Sequence, residues 1–144
     1  MAKEVPDHHD AEIVMKLYDL RRESVMREAR TKMGQFLPRN WEEFLAVTQT
    51  THPANAAFRQ VSSYWEMAYG FARHHIVNAD FLVENTTEGL FLYAKVLPFL
   101  DRFRKEVSPT AFRNSEWITT QCETGKQRLE MVQGRVRKML ETSK

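Results

Sequence analysis

The stretch from Thr87 to Val107 is the most apolar in the chain, and it limits what the chain can fold into. Leu90, Phe91, Leu92, Tyr93, Val96, Leu97, Phe99, Leu100 and Phe103 cover most of a helical circumference. A helix in water tolerates that distribution only when neighbours bury it on several sides. The uninterrupted part, Leu90 to Leu100, is 11 residues long and includes Lys95, far short of the roughly 20 apolar residues of a bilayer crossing. The expectation is therefore a central core helix and no transmembrane segment. Pro98 lies inside it, without an amide to bond the Ala94 carbonyl, which predicts a proline-kinked helix bent near Ala94.

The other segments also read as helices. Ile13, Val14, Leu17, Tyr18, Val25, Ala29, Met33 and Phe36 recur at three- and four-residue steps, predicting one helix from Asp7 or Asp10 to about Phe36, with Asp as the capping residue. On its polar face Glu23 stands four before Arg27 and Glu28 four before Lys32, the order that favours ion pairs. Arg21, Arg22, Arg27 and Arg30 admit an anion-binding face, but the interleaved Asp19, Glu23 and Glu28 favour a solvated, ion-paired one. Pro38 ends this helix. Asn40 with Glu43 then starts a short helix from Trp41 to about Thr48.

A second core helix runs from Pro53 to Ile76, and a turn or two from Ala79 to Glu84 leads into the central helix. Ser108 and Pro109 open the final section. There Ile118, Cys122, Gly125, Leu129, Val132, Val136 and Met139 alternate steps of four and three, a heptad seam on a long amphipathic C-terminal helix. Gly125 on that seam calls for a close helix approach. With no alternating strand pattern, the fold class is all-α: a bundle of five to six helices, residues 1–144 as one domain, 1–7 and 141–144 frayed, and Pro53–Ile76 antiparallel to Thr87–Val107 at its centre.

Composition narrows the function. Twenty-one Lys and Arg against nineteen Asp and Glu leave a formal net charge of +2, too balanced to point to nucleic acid. Lys126, Arg128, Arg135, Arg137, Lys138 and Lys144 make the end of the chain locally basic, which a partner helix or the chain's own core accounts for without nucleic acid. Cys122 is the lone cysteine and MAKEVPDHHD has no apolar signal core, so the expected setting is cytoplasmic. Glu-x-x-His, His-Glu-x-x-His, a Gly-rich phosphate loop and Cys-x-x-Cys are all missing. The expectation is a non-catalytic protein with no cofactor and no metal.

Three candidate sites stand out. The seam residues Ile118, Leu129, Val132, Val136 and Met139 offer a surface for a second copy or a helical partner, and self-association through them is the first functional reading. Trp65, Tyr69 and Tyr93 offer an aromatic pocket between the two core helices for a small apolar molecule, the alternative reading. His8 and Glu12, one helical turn apart beside Asp10, have metal-ligand chemistry, although a helix cap explains the same residues. His74 and His75 point about 100° apart on a helix and do not chelate together. Cys122, on the apolar seam, reads as a buried small side chain.

The run from His74 to Ile118 resembles an uncharacterised bacterial all-helical family known only as a domain of unknown function. Asp80, Tyr93, Pro98, Arg104 and the segment from Phe112 to Trp117 carry the likeness, which covers the C-terminal half. The resemblance implies a helical fold and brings no activity with it.

Overall fold

The computed structural model describes residues 5–143, and among them every regular element is helical. Helix α1, His8–Leu20, starts at Asp7. The Asp7 carboxylate accepts the His9 and Asp10 amides at 3.0 and 3.2 Å, and Asp10 in return accepts the Asp7 amide at 3.1 Å. This capping box satisfies donors that a helix start leaves orphaned.

The single helix expected up to Phe36 is two. Helix α2, Ser24–Gln35, follows a break at Arg21–Glu23, with no glycine or proline to mark it. Glu23 makes the break possible, because its carboxylate caps Val25 and Met26 at 3.1 and 3.0 Å instead of pairing with Arg27. Those two amides also hold its pKa below the ordinary glutamate value. Arg27 caps the other side of the break, donating to the Arg22 carbonyl at 2.9 Å.

Helix α3, Trp41–Val47, is capped by Asn40 as its sequence predicts, with the Glu43 amide 2.9 Å from Asn40 Oδ1. Helix α4, Asn55–Arg73, is joined to α3 by the buried Asn55, which donates to the Val47 carbonyl at 2.8 Å. Helix α5, Ala79–Asn85, starts at Asn78.

The central apolar segment is not one bent helix. It is α6, Glu88–Val96, then a 3-10 turn, Leu97–Phe99, then α7, Leu100–Glu106. Pro98 sits at the start of that turn, where a missing amide costs least, so the chain changes helix type instead of kinking near Ala94.

The C-terminal section is also split, into α8, Arg113–Gln121, and α9, Glu123–Thr142, by an extended Cys122 (φ −120°, ψ 122°). Ser108 and Pro109 do not start a helix. Helix α8 begins after Phe112, which is left-handed (φ 58°), and its cap comes from α4: Glu66 accepts the Asn114 and Ser115 amides at 3.0 and 2.8 Å. Helix α9 is capped likewise by Asp80 of α5, which hydrogen-bonds Thr124 and the Cys122 thiol. Nine α-helices therefore replace the five or six expected among the described residues: Glu23 caps the extra start of α2 locally, the 3-10 turn at Pro98 sets α7 apart, and Asp80 caps α9 from a distance.

One apolar core runs through the described residues, from Leu17 and Met33 through Phe44, Trp65 and Leu90 to Ile118 and Val132. Helix α4 packs mainly on α2 and α8, and α6 mainly on α9; α4 and α6 touch, but less extensively than the expected antiparallel core pair. Gly125 fulfils its predicted role. A Cβ there would overlap the Ile118 carbonyl oxygen and lie 2.8 Å from its carbon, so only glycine lets α9 meet α8 backbone to backbone.

Candidate functional site

Among the described residues, two arginines meet one carboxylate at Glu88 in the first turn of α6, where a carboxylate also suits the positive end of the helix. Arg30 of α2 donates from Nε at 2.9 and 2.8 Å to the two carboxylate oxygens, and its Nη2 lies 2.8 Å from Oε2. Trp65 of α4 adds its indole N–H at 3.2 Å. Arg21, in the α1–α2 break, brings Nη2 to 3.7 Å and stacks its guanidinium over Trp65 and Tyr18 at 5.6 and 5.7 Å. Two guanidinium groups thus share one carboxylate, leaving a positive excess. Arg21 Nε is buried and has no hydrogen-bond partner. The Glu88 hydrogen bond raises the Arg30 pKa still further.

Neighbouring groups fix the junction. A Cβ at Gly89 would come within 2.7 Å of the Trp65 ring, so glycine is needed for α6 to seat against α4. Tyr64 donates to the Leu17 carbonyl, and burial pushes its pKa up to about 12. Tyr69 donates to the Thr86 carbonyl at 3.3 Å, and complete burial raises its pKa too.

Beside this pair lies a cavity of about 190 Å³ walled by Arg30, Met33, Gly34, Val61, Glu88, Phe91 and Leu92. Behind the wall, the buried Lys95 donates to the Met33 and Gly34 carbonyls at 2.8 and 3.3 Å, closing the C-terminal end of α2. Its ammonium stands 4.1 Å from the centre of the Phe91 ring, and the Arg135 guanidinium stands 4.8 Å from it. Burial, and then Arg135, lower the Lys95 pKa to about 8. Apolar walls ending on a guanidinium can hold a molecule with one apolar and one polar part. The wall carries no hydroxyl, thiol or imidazole.

The residues singled out from sequence are dispersed. Trp65 and Tyr69 stack at 5.9 Å beside Glu88. Tyr93 faces Phe112, Thr119, Arg104 and Glu116 instead. All three are core side chains, and the cavity next to Trp65 is walled by others. Of the seam, Ile118 is on α8 and the rest on α9. Ile118, Val132 and Val136 are buried by the chain's own helices, Leu129 packs partly against the same core, and Met139 is half-buried.

His8, His9 and Glu12 bring one ligand atom each within 4.8 Å of one another, all exposed, while Asp10 is buried in the capping box. His75 is left-handed (φ 61°) and lines a cavity of about 170 Å³ with Asp80 and Cys122. Burial raises the Cys122 pKa to about 11, keeping the thiol protonated. Arg104, which carried part of the family likeness, bonds the Ala111 carbonyl and Glu116, tying α7 to α8.

Glu88 went unnoticed in the sequence. The arginine face did leave a signal: Arg21 and Arg30 turn inward to Glu88, while Arg22 and Arg27 stay exposed.

Fold and junction together place the chain among small all-helical domains, and no helix in the described residues is long and apolar enough to cross a membrane. It belongs to the family described as a domain of unknown function, DUF4760, whose profile matches residues 6–122. The match takes in the N-terminal helices as well as α8, so it is wider than the C-terminal half, and it ends before α9. No curated protein and no solved structure matches the chain.

Proposed function

We propose that the chain is a non-catalytic binding module, and that its ligand seat is the cavity between α2, α4 and α6. The observation that carries this reading is the wall itself, where Met33, Val61, Phe91 and Leu92 form an apolar sleeve that ends on the Arg30–Glu88 pair. The volume of about 190 Å³ suits a small molecule, since an engineered apolar cavity of about 150 Å³ holds benzene. This seat differs from the pocket expected at Trp65, Tyr69 and Tyr93, since none of those three lines the cavity. The test is an amide chemical-shift titration with small aromatic and aliphatic fragments. Shifts at Gly34, Val61, Phe91 and Leu92 are expected for the wild type and lost in Leu92→Phe, which fills the space. No response to any fragment, or an unchanged response in Leu92→Phe, defeats the reading.

A second reading is an interaction protein, self-associating or bound to a helical partner. Its support is a shallow groove of about 480 Å³ between α2 and α4, lined by Leu20, Met26, Tyr64 and Met67, with Leu20 and Met67 exposed. Methionine-rich surfaces adapt readily to a partner's side chains. The seam is the weaker surface for this role, since Ile118, Val132 and Val136 already pack inside the chain. Light scattering across a concentration series tests it: a dimer dissociated by Met67→Glu supports the groove, and a monomer throughout removes self-association.

A further inference from the structure

We propose that the cavity takes a small organic monocarboxylate, with its carboxylate on Arg30 and its short apolar body between Met33, Val61, Phe91 and Leu92. This rests on the ligand-seat reading above and adds the chemical class. The first argument is charge. Glu88 is the only acid on the cavity wall, and both Arg30 and Arg21 draw on it. Lys95 and Arg135 flank the Phe91 ring, adding two cations next to that wall. An anion entering there meets an excess of positive charge, whereas an ammonium group would be repelled.

The second argument is unused donor capacity. Arg30 spends Nε and Nη2 on Glu88, and no described residue accepts from its Nη1. Arg21 Nε, although it has no partner, is buried off this wall, so Arg30 alone offers the free donor. A guanidinium fork matches a carboxylate in shape and charge, and hydrogen bonds to ionised acceptors are the stronger kind.

The third argument is size. A cavity of about 190 Å³ accommodates a body near benzene or a short alkyl chain and leaves no room for a long acyl chain.

The deciding experiment titrates wild-type protein with benzoate and with benzamide, which has almost the same shape and no charge. Affinities are read from amide shifts of Gly34, Val61, Phe91 and Leu92. Benzoate is expected to bind at least tenfold more tightly than benzamide, and Arg30→Gln to abolish that preference while benzamide still binds. If Arg30→Gln does not fold, the wild-type ratio decides alone. Equal affinities, or benzoate shifts located elsewhere, overturn the carboxylate assignment and leave the cavity reading standing. No binding of either molecule overturns both.

Discussion

The α8–α9 contact and the Glu88 junction both depend on a glycine, and they differ in what the glycine faces. At Gly125 it faces backbone, the Ile118 carbonyl, and the surroundings are the apolar side chains of Ile118 and Val132. At Gly89 it faces the side chains of Trp65 and Tyr69, and the surroundings are two arginines, a glutamate and a cavity. Apolar surfaces gain by closing every gap. Charged groups must keep their partners and spacing, and here that spacing leaves room. Ile118, Val132 and Val136 of the seam are thus interior side chains, while the junction holds donor capacity that its own residues do not use.

The largest effect should come from Gly125→Ala. The added methyl meets a main-chain carbonyl that no rotamer change can move, so α8 and α9 must separate. A loss of about 3 kcal/mol in urea unfolding is expected. A loss below about 1 kcal/mol would show that the helices are not in backbone contact.

Glu88→Gln should rank second. It keeps an acceptor for Trp65 and leaves Arg21 and Arg30 without a counter-charge. Removing one partner of a buried pair costs about 3–5 kcal/mol, but the Glu88 side chain is 28% exposed and water takes up part of that, so about 2 kcal/mol is expected. The comparison predicts a further difference: the Glu88→Gln cost should shrink with added salt, and the Gly125→Ala cost should not. Equal salt responses would erase the distinction between the two regions.

What the sequence disclosed follows how local the interactions are. Asn40, Asn78 and Asp7 cap the helices that start next to them, and periodicity located α4, while α6 was expected only as part of one helix from Thr87 to Val107. Gly125 was legible too, as a glycine on an apolar seam. The breaks at Glu23 and Cys122 were not, because neither carries a glycine or proline. What stabilises α8 and α9 is a cap 48 residues away at Glu66 and another 42 residues away at Asp80. Pro98 announced a disturbance, but the choice between a kink and a 3-10 turn depends on packing around Leu97 and Phe99. Glu88 looked like an ordinary first-turn acid. Only the fold brings Arg30, 58 residues earlier, against it.

Lys95 gives the third prediction, through pH. Burial lowers its folded pKa to about 8, while the unfolded chain titrates near the ordinary lysine value of 10.5. Between those values the unfolded state binds more protons, so Lys95 makes stability rise with pH across that window. Cys122 acts oppositely. Its pKa is raised from 9.0 to about 11, so the unfolded thiol ionises first and stability falls from about pH 9 upward. The Lys95 effect is therefore read as a difference between wild type and Lys95→Met. Relative to the variant, wild type should gain on the order of 1–2 kcal/mol from pH 8 to 10. A flat difference would mean that the ammonium is not desolvated behind the Phe91 wall.

Gly134→Ala is the smallest change and the closest control for the first. Gly134 lies in the same helix as Gly125, but a Cβ there would find only Arg137 Nη2, at an ordinary 3.8 Å. With no neighbour to displace, only the intrinsic helix preference remains, which favours alanine by about 1 kcal/mol. The same substitution, nine positions apart on α9, should stabilise at one site and destabilise at the other. The two sites share no contact, so the double variant should equal the sum of the singles within about 0.5 kcal/mol. A destabilising Gly134→Ala would place hidden packing on the outer face of α9, such as a second chain seated there.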